Sequence, residues 1–321
     1  MLFANTSAYF NSLALLLSLL VFNSFGAHLL SSSQRSQFSP VTLYFCSLNV
    51  DDINTEQSDL MRQWLPEDEL AKVSRYIQPQ ARDKGLMVRA YLRGILSLHS
   101  GSGDKIAPQD WRFEYGEKGK PDLTAEQRER TGLKFNISHS GDWLVIALLN
   151  VKQVPERHIE LGVDIERCRA STNIYPILNH YFTQVESDEL LAQPESLQRQ
   201  RFFDLWALKE SYIKAKGMGL ALSLKSFSFD FSAVTNNTLR LSQSTQDTNQ
   251  LVLFGDIKLN LIQKNEVKVS HADNWNVSLG RLNEEYRFAV SVSNLDKFEL
   301  KACQLTLADM LADRYLSYFE M

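Results

Sequence analysis

Apolar residues recur along this chain at two spacings, and the places where the spacing changes mark the elements. Residues 41–49, with Leu43, Phe45 and Leu48, read as a first strand. Pro66-Glu67-Asp68-Glu69 sets a proline and three carboxylates where a helix opens. Over residues 80–100, Met87, Tyr91, Ile95 and Leu98 follow steps of four, four and three, an apolar helical stripe. Residues 143–149 form an unbroken apolar run of strand length, and after Pro155 residues 158–166 alternate as a second strand. Thr183 and Glu186 have the capping-box spacing for a short helix to Leu191, and a longer helix over 199–216 should stop at Gly217 and Gly219. Strand-like segments follow at 223–231, 251–261, 275–282 and 286–292. Polar residues 235–250 read as a surface loop, and 305–319 as an amphipathic helix.

Strands and helices mix on both sides of a break near residue 158. The pattern predicts an α/β (α+β) chain: a lobe over 41–158, a second over 159–301, a helical tail over 302–321, and a cleft between the lobes. Residues 1–40 are set apart as leader and linker. Residues 13–30 are Leu-rich and nearly uncharged, yet no Lys or Arg precedes Arg35, whereas a secretory signal carries a positive start. A weak membrane anchor is the competing reading of that stretch.

Composition narrows the classes. Of 321 residues, 44% are hydrophobic and 22% charged, as in a globular protein, and the net charge of −4 offers nucleic acid or an anionic membrane no general attraction. Any phosphate site must be built locally. Three scattered cysteines fit neither a zinc site nor a disulfide framework and point to reduced thiols in the cytoplasm.

The chemistry concentrates in a few runs. In Gly162-Val163-Asp164-Ile165-Glu166 strand alternation puts Asp164 and Glu166 on one face, about 7 Å apart along the backbone. Two carboxylates so placed repel unless a cation such as magnesium stands between them, although an Asp-x-Glu alone reads more simply as a solvated strand face. In residues 202–214, Phe203, Ala207, Glu210 and Lys214 share a helical stripe; Lys214 by itself could satisfy Glu210 as an ordinary i,i+4 pair. The loop Gly116-Glu117-Lys118-Gly119-Lys120-Pro121 joins backbone freedom to positive charge, as a phosphate-approaching loop would and an exposed turn also could. Phe135-Asn136-Ile137-Ser138-His139-Ser140 sets two hydroxyls around an imidazole. Arg82, Arg89 and Arg93 share a stripe with Lys84 nearby, a solvated face or a docking point for phosphate.

Taken together and in order, these motifs resemble the Sfp-type 4′-phosphopantetheinyl transferases. The resemblance rests on Gly119-Lys120-Pro121, residues 135–140, Gly162–Glu166, and Trp206–Lys214 followed by Gly217-Met218-Gly219-Leu220, and it covers residues 41–295. It implies two similar lobes related by a pseudo-twofold, coenzyme A in the cleft between them, and a monomer. It implies Asp164, Glu166 and Glu210 as ligands of Mg2+ (or Mn2+), with Lys214 against the attacked phosphate and Glu210, or Glu166 through water, as proton acceptor. Gly119, Lys120, Pro121, Ser138 and His139 become coenzyme A contacts. Lys84, or less directly Arg82 or Lys72, would meet the 3′-phosphate. The partner implied is an apo acyl or peptidyl carrier protein, whose serine receives the arm as adenosine 3′,5′-bisphosphate leaves. Two rivals remain: a non-catalytic coenzyme A- or carrier-binding module, and a magnesium-dependent phosphohydrolase using the same carboxylates.

Overall fold

A computed structural model describes residues 39–101, 105–153, 158–243, 248–262, 269–295 and 298–311. The first strand, β1 (Ser39–Ser47), is followed by α1 (Thr55–Gln63), α2 (Glu67–Ser74) and the long α3 (Pro79–Leu98). A small ribbon of β2 (Phe113–Tyr115) and β3 (Pro121–Leu123) leads through α4 (Ala125–Thr131) to the hairpin β4 (Leu133–Ser140) and β5 (Trp143–Asn150). The order then begins again: β6 (Leu161–Arg167), then α5 (Ile174–Tyr181), α6 (Gln184–Leu191) and the long α7 (Glu195–Lys216). After β7 (Phe227–Asp230), β8 (Thr235–Ser242), β9 (Thr248–Gly255), β10 (Lys258–Ile262) and β11 (Val269–His271) comes a second hairpin, β12 (Trp275–Arg281) and β13 (Tyr286–Ser293). The described chain closes with β14 (Phe298–Leu305) and α8 (Leu307–Leu311).

Strand, helices, hairpin: this order occurs twice, and each hairpin pairs with its own first strand. The large sheet runs β4-β5-β1-β14-β8-β9-β12-β13-β6, with β5 antiparallel to β1 and β13 antiparallel to β6. Strand alternation splits the apolar residues between two faces. Val41, Leu43, Phe45, Val145, Ala147, Leu161, Val163, Ile165, Phe288 and Val290 form one shared core. On the other face, Leu144 and Ile146 lie under Met87, Tyr91 and Ile95 of α3. There, at the other end, Val277, Leu279 and Ala289 lie under Leu205, Leu208 and Tyr212 of α7. Each buried Val, Leu, Ile, Phe or Met among these stabilises the fold by about 1.5–3 kcal/mol.

Several sequence expectations change. Residues 235–250, read as a loop, supply β8 and the start of β9, because Leu239 and Leu241 enter the shared core between polar neighbours; residues 244–247 lie outside the described residues. The single strand expected over 251–261 is cut at Asp256, whose φ is 56°. In the tail, strand β14 pairs in parallel with β1 before the short α8 begins, and residues 312–321 lie outside the described residues. The leader over residues 1–38 lies outside them too. No helix among the described residues is long and apolar enough to cross a membrane.

Candidate active site

β4 and β6 stand at opposite ends of the strand order, yet their side chains meet. Asn136 accepts a hydrogen bond from the Val163 N–H at 2.9 Å, Ser138 donates to Asp164 Oδ1 at 2.7 Å, and Ser140 donates to Glu166 Oε2 at 3.2 Å. The Ser140 hydroxyl also accepts from the Arg167 N–H at 3.2 Å. The alternation Asn136, Ser138, Ser140 therefore caps the N–H groups of an edge strand and holds both of its carboxylates. The strand motif thus finds its partner in the Asn-Ile-Ser-His-Ser run. Ser138 and Ser140 are the two hydroxyls the sequence sets around His139; Asn136 carries no role in that reading, although its period of two with them is legible there.

Helix α7 completes the site, and a glycine sets its approach. A Cβ on Gly162 would lie 2.0 Å from the Ser211 carbonyl oxygen and 2.4 Å from the Ala215 nitrogen, so α7 meets β6 backbone to backbone. That contact brings Lys214, which lies between Ser211 and Ala215 on the same turn, to Asp164. Lys214 Nζ lies 2.6 Å from Asp164 Oδ1 and donates to Ser138 at 2.6 Å. Glu210 therefore does not have Lys214 to itself, as a simple i,i+4 pair would require.

The three carboxylates crowd one another. Burial pushes the Asp164 carboxyl up, against the opposing pull of Lys214 and Ser138. Burial and then the Asp164 charge raise Glu166 to about 7, and the same two causes raise Glu210. Among the described residues no three His, Cys, Asp or Glu side chains already stand gathered in a ligand shell, and Lys214 is drawn onto Asp164 instead. The donor set nevertheless fits a hard divalent cation. Asp164 Oδ2 is buried with no hydrogen-bond partner, and the Asp164 charge bears on both Glu166 and Glu210.

Beside this seam opens a cavity of about 280 Å3, lined among others by Gly119, Lys120, Pro121, Asn136, Glu210 and Lys214. Gly119 has φ +82° and nothing within 4 Å of where a Cβ would stand, so its backbone is open to a ligand. Lys120 donates to the carbonyls of Leu161 and Ala215 at 3.1 and 2.8 Å, tying its loop to β6 and α7. Burial, then the charge of Lys134, lowers its ammonium to about 8.

The basic residues of α3 separate. Lys84 reaches the β4–β5 turn, donating to the Gly141 carbonyl at 2.8 Å and pairing with Asp142 at 2.7 Å. His139 is exposed by area, yet desolvation, then Lys214, Lys84 and Arg89, push its imidazole below the ordinary range. Lys84, Arg89, His139 and Lys214 thus share one positive field. Arg82 is exposed on the first turn of α3 and is not among the main charges acting on His139. Lys72 pairs with Asp68 at 3.1 Å. Arg93, grouped with Arg82 and Arg89 by spacing, is a correction. It is 1% exposed and makes a bidentate pair with Glu69, so it braces α3 on α2 and reaches no ligand.

Fold and site together define an α+β protein with three neighbouring carboxylates beside a cavity lined by Lys118, Lys120 and Lys214. Comparison with known proteins agrees. Residues 160–290 match the family model described as 4′-phosphopantetheinyl transferase superfamily, and residues 54–150 match 4′-phosphopantetheinyl transferase, N-terminal. The chain is 31% identical over 157 residues to 4′-phosphopantetheinyl transferase HetI of Nostoc sp. (strain PCC 7120), covering 49% of this chain and 61% of that protein. It is 28% identical over 176 residues to 4′-phosphopantetheinyl transferase Sfp of Bacillus subtilis (strain 168), covering 55% and 70%. It is 29% identical over 197 residues to L-aminoadipate-semialdehyde dehydrogenase-phosphopantetheinyl transferase of Xenopus laevis, covering 57% and 64%. The matches span about three fifths of the length of the first of these relatives. The chain belongs to the 4′-phosphopantetheinyl transferase superfamily.

Proposed function

We propose that this protein transfers the 4′-phosphopantetheine arm of coenzyme A to a serine of an apo carrier protein. The observation that carries the reading is the seam itself. Asp164, with one oxygen held by Ser138 and Lys214 and the other unpartnered, stands with Glu166 and Glu210 beside a cavity walled by Gly119-Lys120-Pro121. A magnesium ion held by Asp164, Glu166 and Glu210 would neutralise the pyrophosphate and its leaving group.

The chain's own residues do the rest. The cavity takes the coenzyme, and Gly119 and Pro121 let its backbone come close. Lys84 and His139, within the field that Arg89 and Lys214 share, receive the 3′-phosphate. Lys214 stabilises the charge that grows on the attacked phosphate and leaves its Asp164 contact to do so. The carrier serine Oγ bonds to the β-phosphorus, the bond to the bridging oxygen breaks, and adenosine 3′,5′-bisphosphate departs. The serine proton passes to Glu210. Glu166 is the second candidate, because a carboxyl raised to about 7 is poised to exchange a proton near neutral pH.

On this reading the lobes 41–158 and 159–301 each provide one wall of the site, and the protein works as a monomer in the cytoplasm. The test is to incubate it with coenzyme A, magnesium and an apo carrier protein and weigh the carrier. A mass gain of one phosphopantetheine supports transfer. Coenzyme A hydrolysis without that gain would favour a phosphohydrolase, and neither outcome a binding module.

A further inference from the structure

On the sheet row that runs on from Glu166, one cluster of charge is unbalanced. Arg281 and Arg287 are cross-strand partners in the β12–β13 register, so both side chains leave the face that α7 covers. Asp204 of α7 stands against them. Arg287 Nε donates to Asp204 Oδ1 at 3.1 Å, and Arg281 Nη2 lies 3.9 Å from Asp204 Oδ2. The Arg287 Nη1 group is taken up by the carbonyls of Asn283 and Glu284 at 3.1 and 3.2 Å.

Two donors are left over. Arg287 Nη2 and Arg281 Nε are buried and have no hydrogen-bond partner, and Arg287 as a residue is 0% exposed. A guanidinium does not give up its proton in a protein, so the imbalance cannot be relieved by titration of either arginine. Two positive charges thus face one carboxylate. The next charge bearing on Asp204 is Arg201, another cation, whose guanidinium lies 4.1 Å from the Phe231 ring centroid. Glu166 shares the cross-strand row with Arg287, but its carboxylate is engaged by Ser140 at the seam. A buried charge without a counter-charge is strongly unfavourable, and buried donors call for an acceptor.

We infer that Arg281 and Arg287 form a binding site for one small monovalent inorganic anion of the chloride class. The ion would accept from Arg287 Nη2–H and Arg281 Nε–H and bring the two arginines and Asp204 to neutrality. The Arg281 side chain is 36% exposed, which leaves a way in from solvent. The site lies where the β12–β13 turn meets α7, the helix that carries Glu210 and Lys214. Its occupancy therefore pins that helix against the sheet and takes no part in the chemistry.

The experiment measures the thermal unfolding midpoint while sodium gluconate is replaced by sodium chloride at constant ionic strength. Wild-type protein should show a rise that saturates with chloride, as binding to the folded state alone requires. Arg281→Gln, at the exposed member of the pair, should unfold with no chloride dependence. Crystals soaked in bromide should show an anomalous peak within hydrogen-bond distance of both free donors. A wild-type midpoint indifferent to chloride, an equal response in Arg281→Gln, or bromide bound only elsewhere would each overturn the site.

Discussion

Two of the three lysines of helix α7, Lys209 and Lys214, stand five residues apart, and each meets a carboxylate in a different way. Lys209 is 0% exposed and pairs with Glu186 at 2.9 Å. It donates to the carbonyls of Leu224 and Phe227 and lies over the rings of Phe182 and Phe227. Glu186 is equally occupied, accepting from Thr183 in its capping box and from the Phe229 N–H. Every donor and acceptor there is used up by the protein. Lys214 pairs with Asp164 at 2.6 Å, but its side chain keeps 29% exposure and the carboxylate keeps a free oxygen. The closed pair holds the helix; the open pair has capacity left for a ligand. A single run, Lys209-Glu210-Ser211-Tyr212-Ile213-Lys214, thus contains a closed cation and an open one, separated by which partners the tertiary structure sets opposite each.

The sharpest way to break this contrast is to cut the closed pair. Lys209→Met should lower the unfolding free energy by about 3–5 kcal/mol, since it strands Glu186 in the core; urea denaturation reads it directly. A midpoint close to wild type would mean that the pair is not structural. Asp164→Asn should behave oppositely, lowering carrier loading by about 100-fold, or about 2.7 kcal/mol in the barrier, with little change in unfolding midpoint. Loss of the fold in that variant would erase the distinction drawn here.

The third test is pH. The folded-state pKa of Glu166 is raised to about 7, so between its ordinary value and 7 the folded protein binds more protons than the unfolded one. Metal-free protein should accordingly lose stability as pH rises through that window, and Glu166→Gln should flatten the profile. Stability that instead rises over this range would contradict the crowding of carboxylates at the seam. The smallest effect is expected at the rim. Lys84→Ala should raise the apparent KM for coenzyme A about threefold while leaving kcat alone, as suits a partly exposed charge; a fall in kcat with KM constant would move Lys84 out of the binding role.

Much of the candidate site is legible in the sequence, because its residues sit in dense local patterns. Strand alternation put Asp164 and Glu166 on one face, and helical spacing put Glu210 and Lys214 on one stripe. The same spacing misled at Arg93, which shares the stripe of Arg82 and Arg89. Periodicity reports which residues lie on one side of a helix, whereas the neighbour across that side, here Glu69, comes from another element. Residues 235–242 read as a loop for a related reason: polar Thr and Asn face out while Leu239 and Leu241 enter the core, and so short an alternation is a faint signal.

By itself, then, the sequence determined the elements that carry chemistry and the types of group each presents: paired carboxylates on a strand, a Glu and a Lys on a helix, and a basic loop with backbone freedom. Those follow from local spacing, which two neighbouring turns or strand residues are enough to express. Only the tertiary structure decided that β4 would meet β6 across the ends of the sheet, and that Gly162 would let α7 reach the strand backbone. It likewise decided that Lys214 rather than Lys209 would keep a free coordination partner. Such contacts join residues far apart in the chain, and they are selected by the packing of whole faces rather than by any local pattern.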